Sequence, residues 1–144
     1  MSVLRNHIFD LAVAYGFPTN GIRVKHDSYR CPEPDWVLEH FGPEFNTFLL
    51  SNSIVFRDGQ FVCKDYALHA MSMAKLVWFK TAPSDDSLAI GMVSLPRFAH
   101  EINATVHRNP DQSLRFEFHE PQNRMALTQV KREDIGPAAH IEFL

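Results

Sequence analysis

The sequence predicts an α+β domain: a central helix with a cysteine at its N-terminus, packed on a small, mostly antiparallel sheet. Three observations carry this. After Cys63, the residues Tyr66, Ala67, Ala70, Met71, Ala74, Val77 and Trp78 recur at spacings of three and four, one continuous apolar stripe of a buried helix. Residues 99 to 118 alternate around a turn-rich RNPDQS segment, which reads as a hairpin. Between them, Leu88 to Leu95 (LAIGMVSL) is a short, nearly unbroken apolar run, a buried strand in which Gly91 allows close backbone approach.

The other elements follow in chain order. Ser2 to Tyr15 places Val3, Leu4, Ile8, Leu11, Ala12 and Tyr15 at helical spacing, with Ser2 as N-cap and Gly16 as the stop. Residues 17 to 34 are punctuated by Pro18, Asn20-Gly21, Pro32 and Pro34, with one short strand at Ile22-Arg23-Val24; His26, Asp27 and Tyr29 read as loop polars. Pro34 to Phe41 reads as a short helix ended by Gly42, and Pro43 opens a second one through Phe45, Phe48 and Leu49. Ser53 to Arg57, the Asp58-Gly59 turn and Gln60 to Val62 read as a hairpin. Past residue 118, Met125 to Val130 is a strand or one helical turn, and Ile141 to Leu144 a final strand.

At 144 residues this is one domain. Residues 1–59 form a helical and irregular part that shapes the cleft with the loop Thr81–Ser87, residues 60–123 carry the core motifs, and residues 124–144 close the domain. A net charge of −3 with no Lys/Arg run longer than two excludes an extended nucleic-acid footprint. The apolar stretches stop short of a membrane span, and MSVLRNHIFD lacks the apolar core of a signal peptide, so the expectation is a cytoplasmic protein with no membrane partner. Two cysteines without a CxxC pair give no thiolate zinc site and leave free thiols as the default.

Cys63 sits at a strand-to-helix junction, and the positive end of a helix favours a thiolate over a thiol. A thiolate nucleophile also needs an imidazole, and the imidazole needs an orienting group. His100 opens one strand of the hairpin, 37 residues on, and Glu120 ends its partner 20 residues later. Pairing outward from the turn brings position 100 opposite roughly position 120. Cys63, His100 and Glu120 are therefore the candidate catalytic residues, as nucleophile, base and orienter. Glu117 is the rival third member, and His107 and His119 are rival bases expected to be exposed. A metal site on His100, His107 and His119 is disfavoured, because His100 and His107 are an odd number apart and fall on opposite strand faces. No metal and no cofactor is expected.

Around these residues the motifs resemble those of the papain-like and transglutaminase-like cysteine hydrolases. Cys63-x-Asp65-Tyr66-Ala67 is similar to their helix-opening nucleophile motif, His100-Glu-Ile-Asn103 to their His-x-x-Asn strand, and Glu120-Pro121-Gln122 to the strand end that supplies the third triad member. The resemblance covers residues 60 to 123, about half the chain. It departs from the family in having Glu rather than Asp at position 120, although Glu occurs there in some relatives, including peptidase domains attached to fungal lectins. It departs again in Glu101, and in Phe61-Val62 before the cysteine. The resemblance implies a cysteine peptidase, amidase or acyl transferase acting on a protein or peptide substrate through a Cys-His-Glu triad, without a cofactor. The oxyanion donors it implies are the Cys63 backbone N–H and a side-chain amide, Gln60 first and Asn46 or Asn52 in reserve. The alternative is an inert binding module that keeps the fold without the chemistry; an abnormally reactive thiol would exclude it.

Overall fold

The computed structural model describes residues 2–81 and 85–144. Their frame is a six-stranded sheet in the order β2-β9-β5-β6-β7-β8, joined by a three-stranded sheet in the order β1-β3-β4. The strands are β1 (Ser2–Leu4), β2 (Ile22–Val24), β3 (Ser28–Arg30), β4 (Ser87–Leu88), β5 (Ile90–Leu95), β6 (His100–Arg108), β7 (Leu114–Glu120), β8 (Ala126–Thr128) and β9 (His140–Phe143). The helices are α1 (Arg5–Tyr15), α2 (Gly42–Ser51) and α3 (Cys63–Thr81).

The expectation of a small sheet supporting a central helix is corrected by this topology. The sheets organise the chain, and the edge of the larger one is parallel: β2 pairs with β9 in the register Ile22↔Ile141, joining the two ends of the sequence. Its middle is antiparallel, with Val93↔Ile102 and Asn103↔His119 among the pairs. Both faces are covered. Val93, Leu95, Ile102, Ala104, Val106, Phe116 and Phe118 pack with Ile8 and Ala12 of α1. Tyr66, Ala70, Met71 and Ala74 of α3 pack with Leu88, Ile90 and Met125 and with Phe41, Phe45 and Leu49. Each large apolar side chain so buried contributes about 1.5–3 kcal/mol.

Local readings are revised for identifiable reasons. Ser2 is a strand residue rather than a cap, and α1 begins after Leu4. Tyr29 belongs to β3 and is wholly buried, its hydroxyl donating to the Phe143 carbonyl at 2.8 Å and accepting from the His26 amide at 2.9 Å. Residues Trp36–Phe41 form a wide π-helical turn that runs into α2, so Gly42 continues the helix instead of ending it. Glycine is required there because a Cβ would lie 2.4 Å from the Arg124 carbonyl oxygen. The hairpin expected over residues 53–62 reduces to one bridge, Arg57↔Phe61, around Asp58-Gly59. Of the loop Thr81–Ser87, residues 82–84 lie outside the described residues.

Candidate functional site

The first turn of α3 is fixed by its own sequence. Val62 stands just before the helix, and its N–H donates to the Asp65 carboxylate at 2.9 Å, which is half of a capping box. Phe61 packs edge-on against Tyr66, with ring centroids 4.8 Å apart. Cys63 is thereby held as the first helical residue and stays half-buried. Asn103 of β6, fully buried, donates from its amide to the Ala67 carbonyl at 2.9 Å and to the Gly91 carbonyl at 3.2 Å. This clamps the start of α3 onto β5 and β6.

Cys63 Sγ reaches the carbonyl oxygen of Ala99 at 3.9 Å, the residue directly before His100. His100 Nε2 lies 2.6 Å from Glu120 Oε2, with side-chain exposures of 35% and 22%. The pair is diagonal across the hairpin: the Asn103↔His119 register sets Glu120 opposite Ile102, two residues from His100. Glu120 is also fixed from behind, since its other oxygen accepts from the Gln122 amide at 3.3 Å. The chain therefore gathers a thiol, an imidazole and a carboxylate at one end of the sheet. Gln60 is not part of that group by any contact: its side chain is exposed, and its backbone N–H closes the Arg57 turn at 3.0 Å. Asn52 is committed elsewhere, donating to the Phe48 carbonyl at the end of α2.

Glu117, the rival carboxylate, is held by Arg115 at 2.7 Å and faces His107 at 3.3 Å. His107 and His119 are not exposed; both are buried, at 1% and 0%. Burial pushes the His107 imidazolium down to about 4 and lowers that of His119 in the same direction. The expectation of exposure rested on a sheet with one wet face, whereas both faces of β6 are covered. The sequence did carry a signal: Asn103, Thr105, His107, Glu117 and His119 are all odd-numbered on two paired strands, hence on one face.

A second concave region lies between the C-terminal half of α3 and the β3–β4 pair. This cleft, of about 710 Å³, is lined by His26, Ser28, Lys75, Trp78, Phe79 and Asp86, among others. The Phe79 ring is 79% exposed. Asp86 accepts hydrogen bonds from Ser2 at 2.5 Å and Ser28 at 2.7 Å, and burial lowers the Lys75 ammonium from its ordinary range.

No family model matches the sequence, and no curated protein matches it. The fold does recur in solved structures. The PSL1a-E64 complex superposes with a TM-score of 0.71 at 20% identity, over 99% of this chain and 51% of that one. Polyporus squamosus lectin bound to the human-type influenza-binding epitope Neu5Aca2-6Galb1-4GlcNAc superposes with a TM-score of 0.68 at 19% identity, over 99% and 49%. The chain thus spans about half the length of these neighbours and shares their fold.

These neighbours overturn the resemblance to papain-like and transglutaminase-like hydrolases. The fold is shared with about half of the Polyporus squamosus lectin chain and half of the PSL1a chain, and on that finding membership in the hydrolase superfamily, the papain/transglutaminase-like core, the peptidase or amidase activity and the protein or peptide substrate are all withdrawn. The short motifs that suggested them have local explanations here. Asp65 caps a helix, Asn103 bolts that helix to the sheet, and Glu120 caps the 3-10 turn that begins at Pro121.

Proposed function

We propose that the chain is a carbohydrate-binding module, and that a glycan is held in the cleft between α3 and the β3–β4 pair. The observation that carries this is the fold shared over nearly the whole chain with Polyporus squamosus lectin, which was solved with a sialylated trisaccharide bound. The cleft supplies suitable chemistry. The exposed Phe79 ring offers an apolar face for the C–H side of a sugar, and Ser28, His26 and Asp86 surround it with hydroxyl, imidazole and carboxylate groups for its hydroxyls. Titration of the purified chain with Neu5Aca2-6Galb1-4GlcNAc, and with a panel of neutral and sialylated glycans, tests it. Saturable binding that is lost in Phe79→Ala supports the reading; a panel without binding, or binding indifferent to Phe79, overturns it.

A second reading concerns Cys63, His100 and Glu120, and the His100–Glu120 contact of 2.6 Å favours it. A thiol-reactive ligand would meet Cys63, whose Sγ contacts the carbonyl of Ala99 next to His100. The E64 of the PSL1a-E64 complex is the probe. Intact mass after incubation shows either one covalent adduct that disappears in Cys63→Ser and slows in His100→Ala, or no adduct, which removes this reading and leaves the glycan reading untouched.

A further inference from the structure

The face of the β6–β7 hairpin turned away from α1 carries a buried polar group that neither proposed site uses. His107, Glu117 and His119 each present one ligand atom there, and these atoms lie within 4.8 Å of one another. From this convergence we propose a divalent metal site on His107 Nε2, His119 Nε2 and Glu117 Oε1, taking zinc or a similar nitrogen-preferring ion.

The spacing fits such an ion. Bonds of about 2.0–2.2 Å to a tetrahedral zinc place neighbouring donor atoms roughly 3.3–3.6 Å apart. His107 Nε2 and Glu117 Oε1 are already 3.3 Å apart. Thr105 Oγ1 sits between the two imidazoles, 2.7 Å from His107 Nε2 and 3.0 Å from His119 Nε2. Opening these two contacts by a few tenths of an ångström leaves the hydroxyl as a fourth donor, or frees that corner for water.

The surroundings orient the donors as a metal centre requires. His119 Nδ1 faces the Met125 carbonyl oxygen at 2.8 Å. Donation from Nδ1 fixes the tautomer whose bare Nε2 points at the site, the backbone-carbonyl support usual for a metal-binding histidine. Arg115 holds Glu117 Oε2 at 2.7 Å, which leaves Oε1 to the histidines. Both imidazoles are buried, which holds their rings in place behind the donor atoms. Two neutral imidazoles and one carboxylate suit zinc, cobalt or iron better than calcium or magnesium, which prefer all-oxygen sites. Glu117 is the one partly exposed member and marks the way in. Without an ion, Thr105 Oγ1 bridges the two imidazoles, while the buried His107 Nδ1 has no hydrogen-bond partner among the described residues.

Cobalt titration of chelator-treated, reduced protein tests this directly. Wild type is expected to bind one equivalent, to show the visible d–d bands of four-coordinate cobalt without sulfur charge-transfer absorption, and to lose those bands when zinc is added. Its Tm should rise with zinc and fall back with chelator. His119→Gln and Glu117→Gln should abolish the bands while far-ultraviolet circular dichroism stays native. Three results overturn the proposal: folded wild type that binds no cobalt, bands that survive in both variants, or a thiolate charge-transfer band that assigns the ion to Cys63. Because the first and third are read on wild type, a variant that fails to fold does not protect the proposal.

Discussion

The side-chain amide of Asn103 donates to the main-chain carbonyl of Ala67 at 2.9 Å, tying the helix that starts at Cys63 to the strand that starts at His100. A second bond to Gly91 brings in β5, so one buried residue joins three elements. Asn103→Ala removes the donor and leaves two buried carbonyls short of a partner. A buried acceptor left unpaired costs about 1–3 kcal/mol. The urea midpoint should fall by that cost divided by the slope, with the slope itself unchanged, and alkylation of Cys63 should change in rate as α3 loosens. A midpoint equal to wild type would show that water replaces the amide.

What the sequence disclosed of this fold divides along physical lines. The stripe from Tyr66 to Trp78 and the alternation around residues 109–113 are local patterns, and they appear as α3 and the β6–β7 hairpin at nearly the expected limits. The β2–β9 pairing was invisible, since Ile22 and Ile141 meet through tertiary packing and each strand is too short to show a period. Tyr29 read as a loop polar because a three-residue strand buries only its middle side chain. His107 and His119 read as exposed because alternation tells which residues share a face but not what covers that face. At the candidate site, His100 and Glu120 were placed near each other by counting outward from the turn, and they are in contact, displaced by two residues from direct opposition. The cleft was not legible: Lys75 and Phe79 of α3 come to line one cleft with Ser28 and Asp86 only through the β3–β4 pairing, which no local pattern encodes.

Gly42 passes so close to the Arg124 carbonyl that a Cβ would stand 2.4 Å from the oxygen. Its φ of −56° is ordinary, so the constraint is space and not backbone conformation. Gly42→Ala gains about 1 kcal/mol of helix propensity and must still push apart α2 and the backbone at Arg124. The net effect should be a loss of roughly 1–3 kcal/mol, typical of overpacking. Thermal unfolding measures it, and an unchanged or raised Tm would show that the Arg124 turn yields freely.

Asp65 accepts the Val62 N–H at 2.9 Å and so defines where α3 begins. Asp65→Ala should cost about 0.5–2 kcal/mol, the usual value of a lost N-terminal cap. Asp65→Asn keeps an acceptor oxygen and should lose less. The two variants together separate capping from charge: equal losses would assign the effect to the charge at the positive helix end instead.

Glu101 shares a small pocket with Lys64, Met92, Ser94, His140 and Glu142 on the α3 side of β6. Burial raises its carboxyl above the ordinary 4.5; Lys64 opposes the shift, Glu142 adds to it, and His100 and His140 oppose it. The folded chain therefore keeps a proton that the unfolded chain has released, and linkage makes this group's contribution fall as pH rises through and above 4.5. The amide of Glu101→Gln mimics the protonated acid at every pH. Relative to wild type, the variant should be near neutral at about pH 4 and more stable at about pH 7, where the buried charge is gone. Urea unfolding at the two pH values gives the comparison as a difference of differences, which cancels the titration of the other groups. A variant less stable at about pH 7 than at about pH 4, each measured against wild type, would mean that the Lys64 attraction outweighs the desolvation of Glu101.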